Sequence, residues 1–299
     1  MRTFFAGLIL LTLLTAGCEN GRIQINPSEA GFIMKMDNQT VINFSNIDYY
    51  DFSTHMIYLK HDFSYFEEEE IHDMDEFTVY ADGEKIYTGQ TFPGYYSYMP
   101  KGPIIQCDPN FYSDYVVPIG FINIIDTLGN PTSDPRGDPR IILALKRFNQ
   151  YHEGLKGEIR SVAYVNQYRV KLDFTLTNED SFNYYYLDPE KMGVKLFHYY
   201  TNGLYIQDEA THTSYSHKMK VESPESYKTW KKDWLSLIRS GETKNLTITY
   251  NRFQVVPSGM YTARFSFPGL KWVDKEELKQ VQGRIWLGKI SLQKEIIVQ

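Results

Sequence analysis

Histidines, carboxylates, cysteines and tyrosines are the side chains of this sequence with the most to offer chemically. Seven histidines are scattered along 299 residues. His55, His61 and His72 come closest to a cluster, with Asp62 and Asp73 beside them. Such nitrogen and oxygen donors suit a transition metal, but no pair has the tight spacing of a zinc site. His152-Glu153 is followed by Gly154, Leu155 and Lys156, so the His-Glu-x-x-His pattern is absent. The densest acidic stretch, Glu67 to Glu70 with Asp73, Asp75 and Glu76, lacks the glycine of a calcium loop and reads as a solvated surface. Ser240-Gly241 and Ser258-Gly259 lack the leading glycine of a Gly-x-Ser-x-Gly elbow, and no glycine-rich phosphate loop appears. Paired carboxylates for glycoside hydrolysis are set in space and not in sequence. With 37 acidic residues a pair can always be drawn, so a hydrolase with dispersed carboxylates stays open as an alternative. No catalytic residue, metal or cofactor is assigned.

Cys107 is followed by Asp108, an electronegative neighbour unsuited to a reactive thiolate, and is expected to be a small buried hydrophobe. The 24 tyrosines offer flat faces with a polar tip. Tyr95, Tyr96 and Tyr98 fall in a loop flanked by Gly94 and Pro100 and are the candidate ligand-binding aromatics, against the plainer role of loop packing. Arg136-Gly137-Asp138 spells an integrin-type tripeptide, but its glycine and aspartate have structural work as loop and helix cap.

The composition is that of a globular chain: 42% hydrophobic, 23% charged and a net charge of −6. A mildly acidic chain without basic tracts argues against nucleic acid as a partner. Aromatics at 15% lean toward β structure. The clearest elements agree. Phe77 to Tyr80, Asp82-Gly83 and Lys85 to Tyr87 form a hairpin with a type I′ turn. Val170, Leu172, Phe174 and Leu176 alternate with polar residues, giving a strand with one buried face. Val194 to Tyr200, Asn202-Gly203 and Leu204 to Ile206 read as a second hairpin. Strands are also expected at 54–60, 116–125, 246–250, 260–267 and 284–298.

Helices are expected in three places. Asp138 caps and Pro139 opens one that carries Ile141, Leu145, Phe148 and His152 and ends at Gly154. Ser223 caps a second, with Tyr227, Trp230, Trp234 and Ile238 on one face and Gly241 past its end. Asp274 to Glu277 looks like a capping box. The fold class is mainly β with a few helices, in two β-rich domains over residues 31–157 and 158–299.

The amino terminus has the grammar of an export signal: Arg2, an apolar run from Phe4 to Leu14, then small residues. The run is too short to cross a bilayer, which takes about 20 residues. Leu14-Thr15-Ala16-Gly17-Cys18 resembles the lipobox of bacterial lipoproteins, with Thr15 where leucine is usual. The resemblance implies a signal peptide over 1–17, cleavage before Cys18, acylation of that cysteine by chains such as palmitate, and a lipidated tether over 18–30. Glu19 is not the aspartate linked with inner-membrane retention in related systems, so the outer membrane is preferred. Asp126-Thr127-Leu128 resembles an O-glycosylation site of some bacterial envelope proteins.

Pro257 to Ala263 resembles the start of the penultimate strand of immunoglobulin-like and fibronectin type III sandwiches. The resemblance covers about the last 140 residues and gives Tyr261 the role of a structural corner. The second domain is therefore expected to be an immunoglobulin-like sandwich with an inserted helix. Fold likeness leaves function open. The expectation is a cell-envelope lipoprotein acting as a non-catalytic binding or structural module, its partners a membrane through the anchor and a glycan or an envelope protein. A surface glycan-binding lipoprotein and an assembly subunit held by strand addition are the more specific forms.

Overall fold

The computed structural model describes residues 26–63, 75–95, 100–108, 111–123 and 133–299. Cys18, Glu67 to Glu70, His72, Tyr96, Tyr98 and Asp126 to Leu128 lie outside the described residues. The chain is mainly β, with short helices.

The first half holds β1 (Phe32–Met36), β2 (Gln39–Ile42), β3 (Ile47–Asp51), β4 (Met56–Leu59), β5 (Glu76–Ala81), β6 (Glu84–Pro93), β7 (Gly102–Asp108), β8 (Val116–Pro118), β9 (Gly120–Ile122), α1 (Pro139–Arg147) and β10 (Tyr151–His152). They form one sheet of order β2-β1-β5-β6-β7-β9 and another of order β10-β3-β4-β8. Phe32 of the first meets Tyr50 of the second at 5.8 Å between ring centroids. Asp82 (φ 52°) and Gly83 (φ 83°) make the left-handed turn between β5 and β6, as their types require. Cys107 is buried.

Helix α1 begins as its sequence indicates, with the Asp138 side chain accepting from Arg140 N at 2.9 Å. It buries Ile141, Ala144 and Leu145 and ends at Arg147, earlier than the spacing suggests. His152 lies in β10, where the chain pairs parallel with β3. Gly154 turns the chain into the next strand rather than ending the helix.

The second half holds β11 (Leu155–Asn166), β12 (Arg169–Asn178), β13 (Tyr184–Leu187), α2 (Pro189–Met192), α3 (Val194–Thr201), β14 (Leu204–Gln207), β15 (Ser214–Ser216), β16 (Leu235–Ile238), β17 (Thr243–Asn251), β18 (Gly259–Pro268), α4 (Lys275–Leu278), β19 (Lys279–Gln280), β20 (Gly283–Ile285) and β21 (Lys289–Val298). Two sheets, β11-β12-β17 and β15-β14-β18-β21, face each other. Phe174 of β12 crosses the gap to Phe265 and Phe267 of β18, at 5.2 and 5.7 Å. In chain order this is strands 1-2-5 against 4-3-6-7, an immunoglobulin-like Greek-key sandwich. Tyr261 sits near the start of β18, its ring edge-on to Tyr215 at 6.0 Å. At the seam between sheets, Lys294 Nζ donates to the carbonyls of Ile159 and Arg160 (3.3 and 2.9 Å), placing a charge on an edge that could otherwise pair with another chain.

The loops of the sandwich carry insertions, and β16-β13-β20-β19 assemble from them into a further sheet. Two expected elements are overturned here. Residues 194–201 are the helix α3, not a strand. Phe197, His198 and Thr201 turn inward at helical spacing, and Asn202 (φ 58°) serves as the left-handed helix cap instead of a hairpin turn. Conversely, the helix expected from Ser223 is absent. Residues 217–231 form an irregular strap, Trp234 ends a short 3-10 turn, and Leu235 to Ile238 pair with β13 as β16. Ladder pairing with Tyr184 to Leu187 satisfies that backbone, and tertiary contact of this kind overrides helical spacing. The inserted helices are α2, α3 and α4.

Candidate functional site

The two halves meet through side chains that could not have been paired from sequence. Trp286 Nε1 donates to Asp51 Oδ2 at 3.0 Å in the buried joint. Burial outweighs the hydrogen bonds from Ser53 and Trp286 and pushes the Asp51 carboxyl up to about 6. Alongside, Asp180 accepts from Tyr184 Oη at 2.7 Å and pairs with His152 Nδ1 at 2.7 Å. Burial opposes its charge, yet the His152 and Tyr184 bonds hold Asp180 down to about 2. Arg284 lies between the rings of Phe182 and Tyr49, at 3.9 and 4.5 Å, and reaches Asp48 at 3.2 Å.

Beside this joint lies a cleft of about 490 Å³, lined from the first half by residues 60–62 and 113–115 and from the second by 272–276. Its walls are clamped together. Ser113 Oγ donates to Val273 O at 2.8 Å and accepts from Val273 N at 2.9 Å, while Tyr115 Oη donates to the same carbonyl at 2.7 Å. Lys275 Nζ donates to Leu59 O at 2.7 Å and Lys60 Nζ to Ser45 O at 2.9 Å. Burial, against the pull of Asp62 and Asp48, holds the Lys275 ammonium below its usual range.

These donors are therefore engaged with backbone carbonyls. The carboxylates of Asp62, Asp114, Asp274 and Glu276 make no side-chain hydrogen bond or ion pair among the described residues. Asp274 shows why. It was expected to cap α4 with its side chain, but the helix is closed by its carbonyl, which accepts from Glu277 N and Leu278 N at 2.9 and 3.1 Å. The carboxylate is left facing the cleft.

An aromatic rim adjoins these acceptors. Trp272 lines the cleft, and Lys228 Nζ sits 3.4 Å from its ring centroid. Phe111 and Tyr227 meet edge-on at 6.2 Å, each 40% exposed. A second depression of about 510 Å³, lined by Lys228, Thr229, Trp230, Lys232, Asp274, Glu277 and Gln280, shares Asp274 with the first. The result is a groove lined by carboxylates without partners among the described residues and by Trp272, with the Phe111–Tyr227 pair nearby. That chemistry receives hydroxyl donors and stacks apolar ring faces. Ser113, buried and committed to Val273 at both its donor and acceptor sides, is not placed as a nucleophile.

Of the three loop tyrosines that the sequence brought forward, Tyr95 alone lies among the described residues. Tyr95 is 61% exposed after β6 and is not among the lining residues. His61 does line the cleft, whereas His55 is held by Tyr50 Oη at 3.0 Å. Among the described residues no three His, Cys, Asp or Glu side chains gather as cation ligands. Sequence reading missed Trp272, Phe111, Tyr227 and Asp274. The available signal was weak: a tryptophan and a phenylalanine in polar loops, with no periodicity to bury them.

No family model and no curated protein matches the chain. Among solved structures, a selenomethionine-labelled β-glucosidase from Kluyveromyces marxianus matches at 11% identity and a TM-score of 0.21, over 48% of this chain and 14% of that one. The same enzyme in complex with glucose matches at 13% identity and a TM-score of 0.19, over the same shares. This chain thus spans a small part of that enzyme's length, and a likeness so slight carries no argument. Among the described residues no helix is long and apolar enough to cross a membrane.

Proposed function

We propose that the protein is a lipid-anchored cell-envelope protein that binds, and does not transform, a polyhydroxylated ligand, a glycan, in the groove between its halves. The anchor is Cys18 and the outer membrane the preferred site. The observation that carries the binding role is the set of carboxylates that lack a hydrogen-bond or ion-pair partner among the described residues, beside Trp272, Phe111 and Tyr227. Sugar hydroxyls donate to such carboxylates, and the apolar face of a pyranose stacks on an indole or phenyl ring. The clamped walls support a preformed site, which lowers the ordering cost of binding.

The test is affinity electrophoresis through gels containing neutral bacterial, plant and host polysaccharides. At least one should retard the protein. Trp272→Ala should weaken that retardation at least tenfold, while Tyr95→Ala tests the loop tyrosines separately. The retarding polymer should release no new reducing ends during incubation. Free migration through every gel would remove the glycan reading, and steady release of reducing ends would replace it with the hydrolase.

A further inference from the structure

The strap over residues 217–231 begins at a pair of imidazoles, His198 buried and His217 half-buried, and ends at the groove. We infer that α3 and this strap form an acid-released latch, in which a proton taken up by His198 loosens both and frees the rim residues Tyr227 and Lys228. This deepens the groove reading and depends on it only for what the latch controls.

His198 is 2% exposed, and neither of its ring nitrogens has a hydrogen-bond partner. Its ring lies 3.7 Å from that of His217 and 5.2 Å from that of Tyr250 on β17, whose hydroxyl is also unpartnered. On the remaining side is Gly203 (φ 79°), where a Cβ would fall 1.6 Å from His198 Cε1. Lys195, on the same helix, is turned to an exposed ion pair with Glu222. Among the described residues, His217 is the ionisable group that acts on His198 electrostatically, and it disfavours a second charge. Burial, then His217, pushes the His198 imidazole down to about 4. An imidazolium here would hold two donors without acceptors, next to a like charge and with no carboxylate to balance it. Gly203 closes one exit, so relief lies toward the strap.

Helix α3 grips the strap at three points. One is the tilted ring contact of His198 with His217. The second is Glu222 N donating to Lys195 O at 3.2 Å, and the third is Tyr200 Oη donating to Thr229 O at 3.2 Å. His217 Nδ1 also accepts from Met219 N at 3.2 Å, a bond that protonation at that nitrogen would remove. Between the second and third grips the strap supplies Tyr227 against Phe111 and Lys228 over Trp272.

Hydrogen–deuterium exchange of the mature lipoprotein in detergent, corrected for intrinsic rates, should be compared at pH 7.5 and 4.0. Peptides over 195–201 and 218–229 should exchange at least tenfold faster at pH 4.0, with β12 and β18 unchanged. His198→Phe should reduce that ratio below twofold. Should that variant misfold, His217→Gln serves instead: without its like-charge neighbour, His198 should accept its proton more readily, and the transition should move to higher pH. Equal protection at both pH values, an equal rise across β12 and β18, or an unmoved transition in His217→Gln would each overturn the latch. Exchange is read without ligand, so a failed polysaccharide screen leaves this result standing. Trp272→Ala, which removes binding, should leave the pH response intact.

Discussion

At the scale of single residues, burial decides what each titratable group does. His55 and His198 are both pushed down to about 4, burial first, with Arg136 and His217 respectively adding to it. The unfolded chain holds their protons more readily, near the ordinary value of 6.5. Their contribution is therefore full above pH 6.5 and lost as pH falls toward 4. Asp51, pushed up to about 6, works the other way: the fold carries a costly buried charge above pH 6 and is relieved as pH falls toward 3.8. Asp180, held at about 2, contributes in full above pH 3.8 and loses that contribution only as pH falls from 3.8 toward 2. Three histidines against one aspartate, since burial also lowers His217, predict a net fall in stability between pH 6.5 and 4, about 3 kcal/mol from each of His55 and His198. Urea midpoints across that range should decline, and Asp51→Asn, which lacks the relief, should decline more steeply. A flat or rising midpoint would refute the assignment. The asymmetry of His198, a polar ring with no polar company, was invisible in a sequence that merely places a histidine among tyrosines.

Elements were legible where local signals were also the signals the tertiary structure uses. The alternation in β12 survives because one face of that strand is core: Val170, Leu172, Phe174 and Leu176 are all buried. Phe174 is the residue on which the two sheets of the sandwich close, so Phe174→Ala should cost about 3–5 kcal/mol. Chemical denaturation measures that cost, and a loss below 1 kcal/mol would mean that the sheets do not depend on this contact. The Asp82-Gly83 turn was equally clear, since few residues other than Gly, Asn and Asp adopt its left-handed angles with ease. Asn202-Gly203 carries the same signature but serves another end, because a helix cap and a hairpin turn need the same backbone region. The aromatic and β-branched residues of 194–201 pull toward a strand by propensity, yet Phe197 packs against Phe267 as part of a helix, with ring centroids 6.0 Å apart. The tryptophan spacing of 223–240 misled in the opposite direction.

For the whole molecule, the proposed anchor and the folded halves are separate matters. Acyl chains contribute about 0.8 kcal/mol per buried CH₂, and two or more give lasting attachment. Cys18→Ala should therefore shift the protein from the membrane to the soluble fraction or stall its maturation. Fractionation and immunoblotting check this, and an unchanged membrane share would end the lipoprotein proposal. The sequence by itself determined the mainly β character, the helix start at Asp138, the β5–β6 hairpin with its Asp82-Gly83 turn and the buried face of β12, and it is the whole support for the anchor. Each of these depends on residues within a few positions of one another. Only the tertiary structure decided the groove. Ser113 and Val273 are 160 positions apart, and Asp51 and Trp286 are 235 apart. Which carboxylates stay unpaired, and which aromatic rings surround them, follows from how the two halves close together. No local pattern encodes that, because the partners lie far apart in the chain.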